Sequence, residues 1–288
     1  SHDAHQALKI DLLQQATKII APSEEVADIY RNFIPDLEIH VHEHIGGELA
    51  STLLPVKISE ARHDGQKRVA ILGALGPEKG ADILERVADI VQSKRTDVEF
   101  HIIGFAYRQL SDAVVTHGRY EENELANLVE DLSPDLIWFP CQWPETYSYT
   151  LSVAMERGVP LVVPDFGAFV SRTEGRPFTW HVPFDRSPDQ YAEKLLDCLK
   201  KLELNAGTQH VWSPQPASSA YYTAEHNGFL SECNHSPTIS SEIPDIDRLR
   251  ELFVKQPSRP VSDPDLPVQQ TDVQRLIETT FWKLRSSN

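Results

Sequence analysis

Short apolar segments alternate with amphipathic segments of helical periodicity from residue 67 onward, and this alternation constrains the fold more than any other feature of the sequence. The apolar segments predict five strands, at 67–73, 98–104, 135–140, 160–165 and 179–184. The segments between them predict helices at 81–94, 121–132 and 149–158, and a further helix follows Ser187. Strands this apolar are typical of a parallel sheet that helices cover on both faces. We therefore predict an α/β fold with a doubly wound parallel sheet, which binds ligands at the carboxyl ends of its strands.

Two serine residues mark predicted helix starts. Ser23 precedes Glu24 and Glu25, and carboxylates in a first helical turn complement a serine N-cap. Ser187 opens a capping box with Pro188 at the first helical position. Weaker patterns upstream of residue 67 predict a helix at 4–16, strands at 19–21 and 38–45, and a linker or partly ordered loop at 46–66.

The composition changes after Leu204. Residues 205–245 are rich in Ser, Pro, Thr and Asn, and helical periodicity returns only at 246–255 and 271–284. This pattern predicts an irregular tail with two helices. The aromatic side chains of the tail are expected to pack it onto the core, with stacking on sugars as the alternative. These aromatic residues are Trp212, Tyr221, Tyr222, Phe229 and Trp282.

The net charge excludes one class of partner. The chain has 288 residues, with 27 Lys and Arg against 43 Asp and Glu, so its formal charge is −16. Broad binding to a nucleic-acid backbone requires a basic face, and we therefore expect no nucleic-acid partner. No apolar run approaches the roughly 18 residues of a membrane span, so no transmembrane segment is predicted.

Cysteine and methionine usage bears on location and processing. Cys141, Cys198 and Cys233 have neither zinc-site spacing nor the density of a disulfide framework, which favours a reducing compartment. The first residues lack the apolar core of a signal peptide, and we expect a cytoplasmic location. Because the only methionine is Met155, the chain is expected to be processed or to be part of a longer protein.

A glycine-rich loop follows the first strand of the alternating region. The segment GALGPEKGADIL (73–84) places Gly73, Gly76 and Lys79 between a strand and a helix. It has neither the Walker spacing nor the dinucleotide fingerprint. Backbone amides and an ammonium group at the carboxyl end of a strand are suited to a phosphate. The alternative is a plain strand-to-helix turn with a solvated lysine.

A second candidate segment is WPETYSYTLSVAMERGVPLVVPDFGA (143–168). Glu145 lies in the loop after a predicted strand, and the next helix begins near Ser148. The first amides of that helix would form an anion site beside one carboxylate, which suits a sugar diphosphate. The alternative is that Glu145 only caps the helix.

Taken in order, several segments resemble one known family. They are TKIIAPSEEVADIY, AILGALGPEKGADILERV, FHIIG, GRYEENELANLVEDLSPDLIWFP and PETYSYTLSVAMERGVPLVVPDFGAF. Residues 17–200 thereby resemble the carboxyl-terminal half of the GT-B glycosyltransferases of family four, which are retaining nucleotide-sugar enzymes with Rossmann-like domains. The variant with TYSYTLS and GAFVSRTEGRPFTW is similar to bacterial enzymes that assemble rhamnose-containing or O-antigen surface polysaccharides.

The resemblance implies roles for individual residues. Lys79 would contact the donor diphosphate, and Glu145 would hold hydroxyl groups of the donor sugar; these are the implied catalytic residues. Arg119 and Tyr120 lie in a turn that borders the base. The donor-binding residues implied in full are Gly73, Gly76, Lys79, Arg119, Tyr120, Glu145, Tyr147, Ser148, Tyr149 and Thr150.

The resemblance also implies an activity and a domain organisation. The reaction would transfer a sugar from a nucleotide diphosphate sugar to a glycan or lipid-linked glycan acceptor, without a cofactor or metal. Residues 1–57 would end the amino-terminal GT-B domain, 58–204 would bind the donor, and 205–288 would form the tail. An acceptor domain, or other polysaccharide-synthesis proteins, would be the partner, and the protein would be cytoplasmic or peripheral to the inner membrane.

Three positions depart from the family pattern. Val153 stands where a second glutamate normally binds the ribose hydroxyls, Ala74 replaces a common arginine, and Ser171 replaces a frequent glutamate. A thymidine-diphosphate sugar, whose ribose has no 2′-hydroxyl, would need that glutamate less. The departures also favour an alternative function: an inactive domain that acts as a binding or assembly module. An epimerase of the same fold would need carboxylate and histidine motifs that we do not find.

Two weaker patterns raise the question of a metal. His40, His42 and His44 alternate on a predicted strand, and imidazoles on one face of a strand can bind a metal. An interdomain strand is the favoured interpretation. Asp-x-Asp occurs at 245–247 and 263–265, where helix capping and solvation account for it. We expect no metal site.

Overall fold

The structure is a computed structural model that describes residues 10–16, 18–41 and 54–212. The strands are β1 (Ile20–Ala21), β2 (His40–Val41), β3 (Val56–Lys57), β4 (Lys67–Leu75), β5 (Val98–Ala106), β6 (Val114–Thr116), β7 (Leu136–Trp138), β8 (Leu161–Pro164), β9 (Thr179–Val182) and β10 (Gln209–His210). The helices are α1 (Glu24–Phe33), α2 (Ala81–Lys94), α3 (Leu125–Leu132), α4 (Tyr149–Glu156), α5 (Ala168–Arg172) and α6 (Pro188–Leu204). A 3₁₀ helix, Glu122–Glu124, precedes α3, and residues 10–15 are also helical.

Six parallel strands form the central sheet, in the order β6-β5-β4-β7-β8-β9. The chain adds strands on one side of β4 and then returns to add β7, β8 and β9 on the other side. This strand order is that of the doubly wound Rossmann fold, and it places the topological switch point between β4 and β7. The predicted fold class is confirmed. Of the strands in this sheet, the sequence analysis missed β6, a three-residue edge strand with one buried position.

Helices cover both faces of this sheet, as the apolar strands predict. On one face, α2 and α6 pack over Val69, Ile71 and Phe100. On the other face, α3, α4 and α5 pack over Ala70, Leu72 and the neighbouring strands. Alternate residues of β4 therefore enter opposite cores, and this two-sided burial is why the strand has no polar alternation.

Both predicted helix caps are present. The Ser23 hydroxyl accepts a hydrogen bond from the Val26 amide at 3.3 Å, at the start of α1. Ser187 and Gln190 form a reciprocal capping box at the start of α6, with Pro188 in the first turn. Before β3, the strand expected at 38–45 reaches only His40–Val41 within the described residues, where it pairs in parallel with β1.

The segment expected to be a linker contributes to the domain. Val56 and Lys57 pair antiparallel with β10, and Val56 and Ile58 are buried in the core that α2 and α6 cover. This part of the prediction for 46–66 is wrong, because two core residues separated by one position are too few to produce a visible pattern. β10 lies beyond the boundary expected after Leu204.

Several expectations for the tail lie outside the described residues. Trp212 is described, and its indole N–H donates to the Glu174 carbonyl at 3.2 Å, so it packs on the core as expected. The helices at 246–255 and 271–284, both Asp-x-Asp segments and the other tail aromatics all lie outside the described residues. His42 and His44 do so as well. Within the described part of the chain, no three His, Cys, Asp or Glu side chains are grouped as metal ligands.

Candidate functional site

A cavity of about 630 Å³ lies at the carboxyl ends of β4 and β5, beside the switch point. Gly73 and Ala74 of β4 line it together with Gly104 and Phe105 of β5. Six of the predicted donor-binding residues line the same cavity: Gly73, Arg119, Tyr120, Tyr147, Tyr149 and Thr150. The structure thus brings together residues that are separated by up to 77 positions in the sequence.

Lys79 and Glu145, the two predicted catalytic residues, form an ion pair. The Lys79 Nζ atom lies 3.1 Å from Glu145 Oε1, and the side chains are 46% and 20% exposed. Burial lowers the pKa of Lys79, but the charge and hydrogen bond of Glu145 outweigh this effect and raise the pKa above its ordinary value. The ammonium group therefore stays protonated at neutral pH. The Lys79 side chain is exposed to solvent and is paired with Glu145.

The ion pair lies close to the cavity, although neither side chain lines it. Burial raises the pKa of the Tyr120 hydroxyl, and the positive charge of Lys79 partly offsets that increase. Since Tyr120 lines the cavity, the field of Lys79 reaches the cavity wall. The Cys141 thiol also borders the pair, with its Sγ atom 4.0 Å from Glu145 Oε1. Burial raises the pKa of Cys141 to about 12, so the thiol is protonated and unreactive.

The glycine-rich loop turns back on itself before α2. The Gly76 carbonyl accepts hydrogen bonds from the amides of Lys79 and Ala81, both at 3.2 Å. Gly80 then begins α2 with a left-handed φ of 83°, and a Cβ at this position would lie 2.1 Å from the Pro140 carbonyl oxygen. Only glycine fits this close approach. The loop thereby holds Lys79 beside the strand end of β7.

The α4 helix begins at the cavity with an unusual N-cap. Ser148 has a φ of 65° and a ψ of 86°, and its side chain makes no capping hydrogen bond. Tyr149 and Thr150 in the first turn line the cavity. The Glu145 carboxylate, three residues before this N-cap, is paired with Lys79. An α-helix N-terminus without a side-chain cap presents amide groups and partial positive charge to an anion.

An aromatic wall forms another side of the cavity. The Arg119 guanidinium stacks over the Phe105 ring, 4.4 Å from its centroid. The rings of Tyr147 and Tyr149 are in edge contact, with centroids 5.1 Å apart. Flat side chains of this kind offer a surface for a planar ring system.

The sequence analysis missed several lining residues. They are Gly104, Phe105, Glu121, Glu122, Leu125, Ser152 and Glu156. The rule that ligands bind at carboxyl ends of strands accounts for Gly104 and Phe105, which lie near the end of β5. It gives no signal for the residues of α3 and α4, whose positions depend on how these helices pack.

Two of the three departures from the family pattern also lie in the cavity. Ala74 and Val153 line it, whereas Ser171 lies in α5. Glu156 follows Val153 by about one helical turn on α4 and lines the same cavity. The cavity therefore has carboxylates on its wall, but at positions other than the one that the pattern gives.

Fold and site together define the class of this domain. A doubly wound α/β sheet carries, at its switch point, a cation, an α-helix N-terminus and an aromatic wall. These are the elements of a site for an anionic ligand that has a planar ring.

Residues 66–201 match the family model described as Glycosyl transferases group 1. The matched segment contains Lys79, Glu145 and all residues that line the cavity. No curated protein matches the chain significantly.

The fold is also that of solved glycosyltransferase structures. TarM of S. aureus, in a complex that contains UDP, is 20% identical with a TM-score of 0.51; the match covers 68% of this chain and 39% of TarM. HepE of Anabaena, with UDP and glucose, is 17% identical with a TM-score of 0.52, covering 76% and 64%. Sucrose-phosphate synthase of Thermosynechococcus elongatus is 14% identical with a TM-score of 0.53, covering 88% and 62%.

The chain therefore spans about 40% of the length of TarM and less than two thirds of the other two proteins. Identities this low establish a shared fold. In the residues that the structure describes, no helix is both long enough and apolar enough to span a membrane.

A pair of histidine rings lies beside the turn that carries Arg119. His101 Nδ1 and His117 Nε2 are 3.1 Å apart, and His101 Nε2 lies 3.3 Å from Glu99 Oε2. Burial lowers the pKa of His101; Glu99 opposes this effect, and the charges of His117 and Arg68 add to it. The folded protein thus binds protons at His101 less readily than the unfolded chain does.

We expect the free energy of unfolding to decrease as the pH falls below about 6.5, the ordinary pKa of histidine. Because the pKa of His101 is lower in the folded protein than in the unfolded chain, neutral His101 favours the folded state. This contribution to stability is fully present above the pKa of the unfolded chain and is lost as the pH falls through the pKa of the folded protein. Urea unfolding between pH 7.5 and pH 5.5 measures this slope. His101→Asn should flatten it, whereas His63→Asn, at an exposed position, should not. Equal slopes for all three proteins would contradict the assignment.

Proposed function

We propose that this domain binds the nucleotide diphosphate sugar donor of a retaining glycosyltransferase. The observation that carries the proposal is the Lys79–Glu145 ion pair, which lies between the glycine-rich loop and the α4 N-terminus at the edge of an aromatic-walled cavity. A diphosphate would lie against the ammonium group and the helix amides. The base would stack on the wall formed by Phe105 and Arg119.

In the proposed reaction, the bond between the anomeric carbon and the diphosphate oxygen breaks. The acceptor hydroxyl oxygen forms the new bond to that carbon on the same face of the sugar, and its proton passes to the departing diphosphate. The domain supplies no nucleophile. Lys79 and the start of α4 stabilise the charge that develops on the leaving group, and Glu145 orients hydroxyls of the sugar. This scheme needs no metal or other cofactor.

The acceptor and the partners follow from the same proposal. The acceptor would be a glycan or a lipid-linked glycan of a bacterial surface polysaccharide of the O-antigen or capsule type. An amino-terminal GT-B domain, or another polysaccharide-synthesis protein, would complete the cleft. The transfer reaction would take place in the cytoplasm, and the partners could hold the protein at the periphery of the inner membrane.

An inactive binding or assembly module is the second candidate function. It is favoured by Ala74 and Val153, which line the cavity where the family pattern has an arginine and a glutamate. Such a module would keep the fold and lose the affinity for nucleotides. The two functions therefore differ in a property that can be measured on this chain.

Calorimetric titration with uridine, guanosine, thymidine and cytidine diphosphates tests the proposal. We expect one nucleotide to bind, with an unchanged affinity in excess EDTA, because the site uses a lysine and helix amides. A preference for thymidine diphosphate would support the role of Val153, and a preference for uridine diphosphate would contradict it. If well-folded protein binds none of the four, the binding proposal is wrong and the assembly module is favoured.

A further inference from the structure

Arg172 of α5 is a buried arginine that holds the segment leading into α4. Its Nη1 atom donates to the carbonyl oxygens of Tyr147 at 2.7 Å and of Ser148 at 2.9 Å. Its Nη2 atom donates to Ser152 Oγ at 2.8 Å. The guanidinium carbon also lies 3.8 Å from the centroid of the Tyr147 ring. One side chain thus contacts the residue before the helix, the N-cap and the first turn.

The backbone that Arg172 contacts is strained. Ser148 is in the left-handed region with a φ of 65°, and it is 8% exposed. A residue with a Cβ keeps such a conformation only where its surroundings over-determine it. The two hydrogen bonds to the carbonyls on either side of this φ, ψ pair provide that constraint. Tyr147 and Tyr149, which flank Ser148, both line the cavity.

The other end of α5 contacts the other end of the same segment. The Ala168 amide donates to the Glu145 carbonyl at 3.0 Å. Gly167 approaches so closely that a Cβ there would lie 2.9 Å from the same oxygen. Since α5 contacts the segment 145–148 at both ends, it acts as a rigid support for Glu145 and for the start of α4.

We propose that Arg172 is a positioning residue for the donor site, which it serves by fixing the conformation of the segment 145–148. The inference rests on the proposed function, because it concerns the site that would bind the diphosphate. The planar guanidinium is required because it donates to two adjacent carbonyls and a hydroxyl at fixed angles while it stacks on a ring. A lysine ammonium has the charge but cannot match that geometry.

Arg176 offers a matched control. It is also buried, at 5% exposed, and it donates to the Val159 carbonyl at 2.9 Å and to Thr179 Oγ1 at 3.0 Å. Neither acceptor lines the cavity. Arg172→Gln and Arg176→Gln each remove a buried guanidinium from the same part of the chain, and only the first removes contacts to the donor segment. Arg172→Lys is the milder variant if Arg172→Gln does not fold.

Amide hydrogen exchange across the full 288-residue chain gives a readout that needs no ligand. In either Arg172 variant, we expect the amides of 146–152 to exchange about tenfold faster relative to the rest of the domain. In Arg176→Gln, the exchange rates of amides 146–152 should change only as much as those in the rest of the domain. Equal relative exchange of 146–152 in the Arg172 and Arg176 variants would overturn the inference.

Affinity for the nucleotide that the wild-type chain binds gives the second readout. We expect Arg172→Gln to weaken it by about tenfold or more, with partial recovery in Arg172→Lys, and Arg176→Gln to leave it within about twofold. Equal affinities of the Arg172 and Arg176 variants would refute the positioning role. If the wild-type chain binds no nucleotide, the proposed function fails on its own, while the exchange measurement still decides whether Arg172 orders the segment.

Discussion

Lys79→Ala is expected to weaken the binding of a nucleoside diphosphate by about ten- to a hundredfold, measured by calorimetry. A charge-assisted contact contributes about 1.5–3 kcal/mol, and each 1.4 kcal/mol is roughly a factor of ten in affinity. The variant also leaves the Glu145 carboxylate, which is 20% exposed, without the ammonium group 3.1 Å away. The diphosphate then meets an uncompensated negative charge at the edge of the cavity, so the loss should lie in the upper part of that range.

Two further variants separate this effect from general electrostatics. Lys94→Ala removes the same charge from the last turn of α2, at the far end of that helix from the loop, and should leave the affinity unchanged. Glu145→Gln releases Lys79 from its ion pair and should maintain or raise the affinity for the diphosphate alone. It should lower the affinity for the complete nucleotide sugar, whose hydroxyls Glu145 is proposed to hold. Identical losses for Lys79→Ala and Lys94→Ala would show that Lys79 makes no specific contact.

Gly104→Ala is expected to destabilise the domain by about 3 kcal/mol or more, because two costs add at this position. Gly104 has a φ of 136°, where a side chain is strained, and it pairs in register with Gly73 of the neighbouring strand. A Cβ at Gly104 would lie 2.0 Å from the Gly73 carbonyl oxygen. The two strands would have to separate at the edge of the cavity, so nucleotide binding should be lost together with stability.

Gly175→Ala isolates the strain from the clash. Gly175 also has a left-handed φ, of 66°, but a Cβ there has no atom within 4 Å. Its replacement should cost only about 1 kcal/mol, the usual penalty for a left-handed residue with a side chain. Urea unfolding of the two variants gives the difference directly. If both lost the same stability, the close approach of β4 and β5 would have no energetic consequence.

The main elements of the fold could be predicted because their signals are local. The predicted strands are mostly apolar because most of their residues are buried, and each predicted helix has one apolar stripe. The caps at Ser23 and Ser187 act within three residues of themselves and were confirmed for the same reason. β6 and β3 were missed because each is short and contributes few buried residues. In addition, β3 pairs with β10, which is far from it in the sequence.

The candidate site could be predicted only in part. Glycines and a lysine after β4 and the segment around Glu145 stand out by residue type and by position relative to the strands. The Lys79–Glu145 ion pair joins residues 66 positions apart, and no local pattern indicates that distance. Glu156 lines the cavity because of the packing of α4, which the sequence does not show.

By itself, the sequence determined the α/β class, the helix boundaries with strong caps and the two segments that end at the ligand-binding edge of the sheet. Only the tertiary structure decided which of these residues meet. Arg172 illustrates the difference, because two of its acceptors are backbone carbonyls. Every residue type has a backbone carbonyl, so the sequence does not indicate these contacts. Hydrophobic periodicity is a local property of the sequence. Contacts made across the sheet depend instead on how helices and loops pack after the apolar residues have been buried.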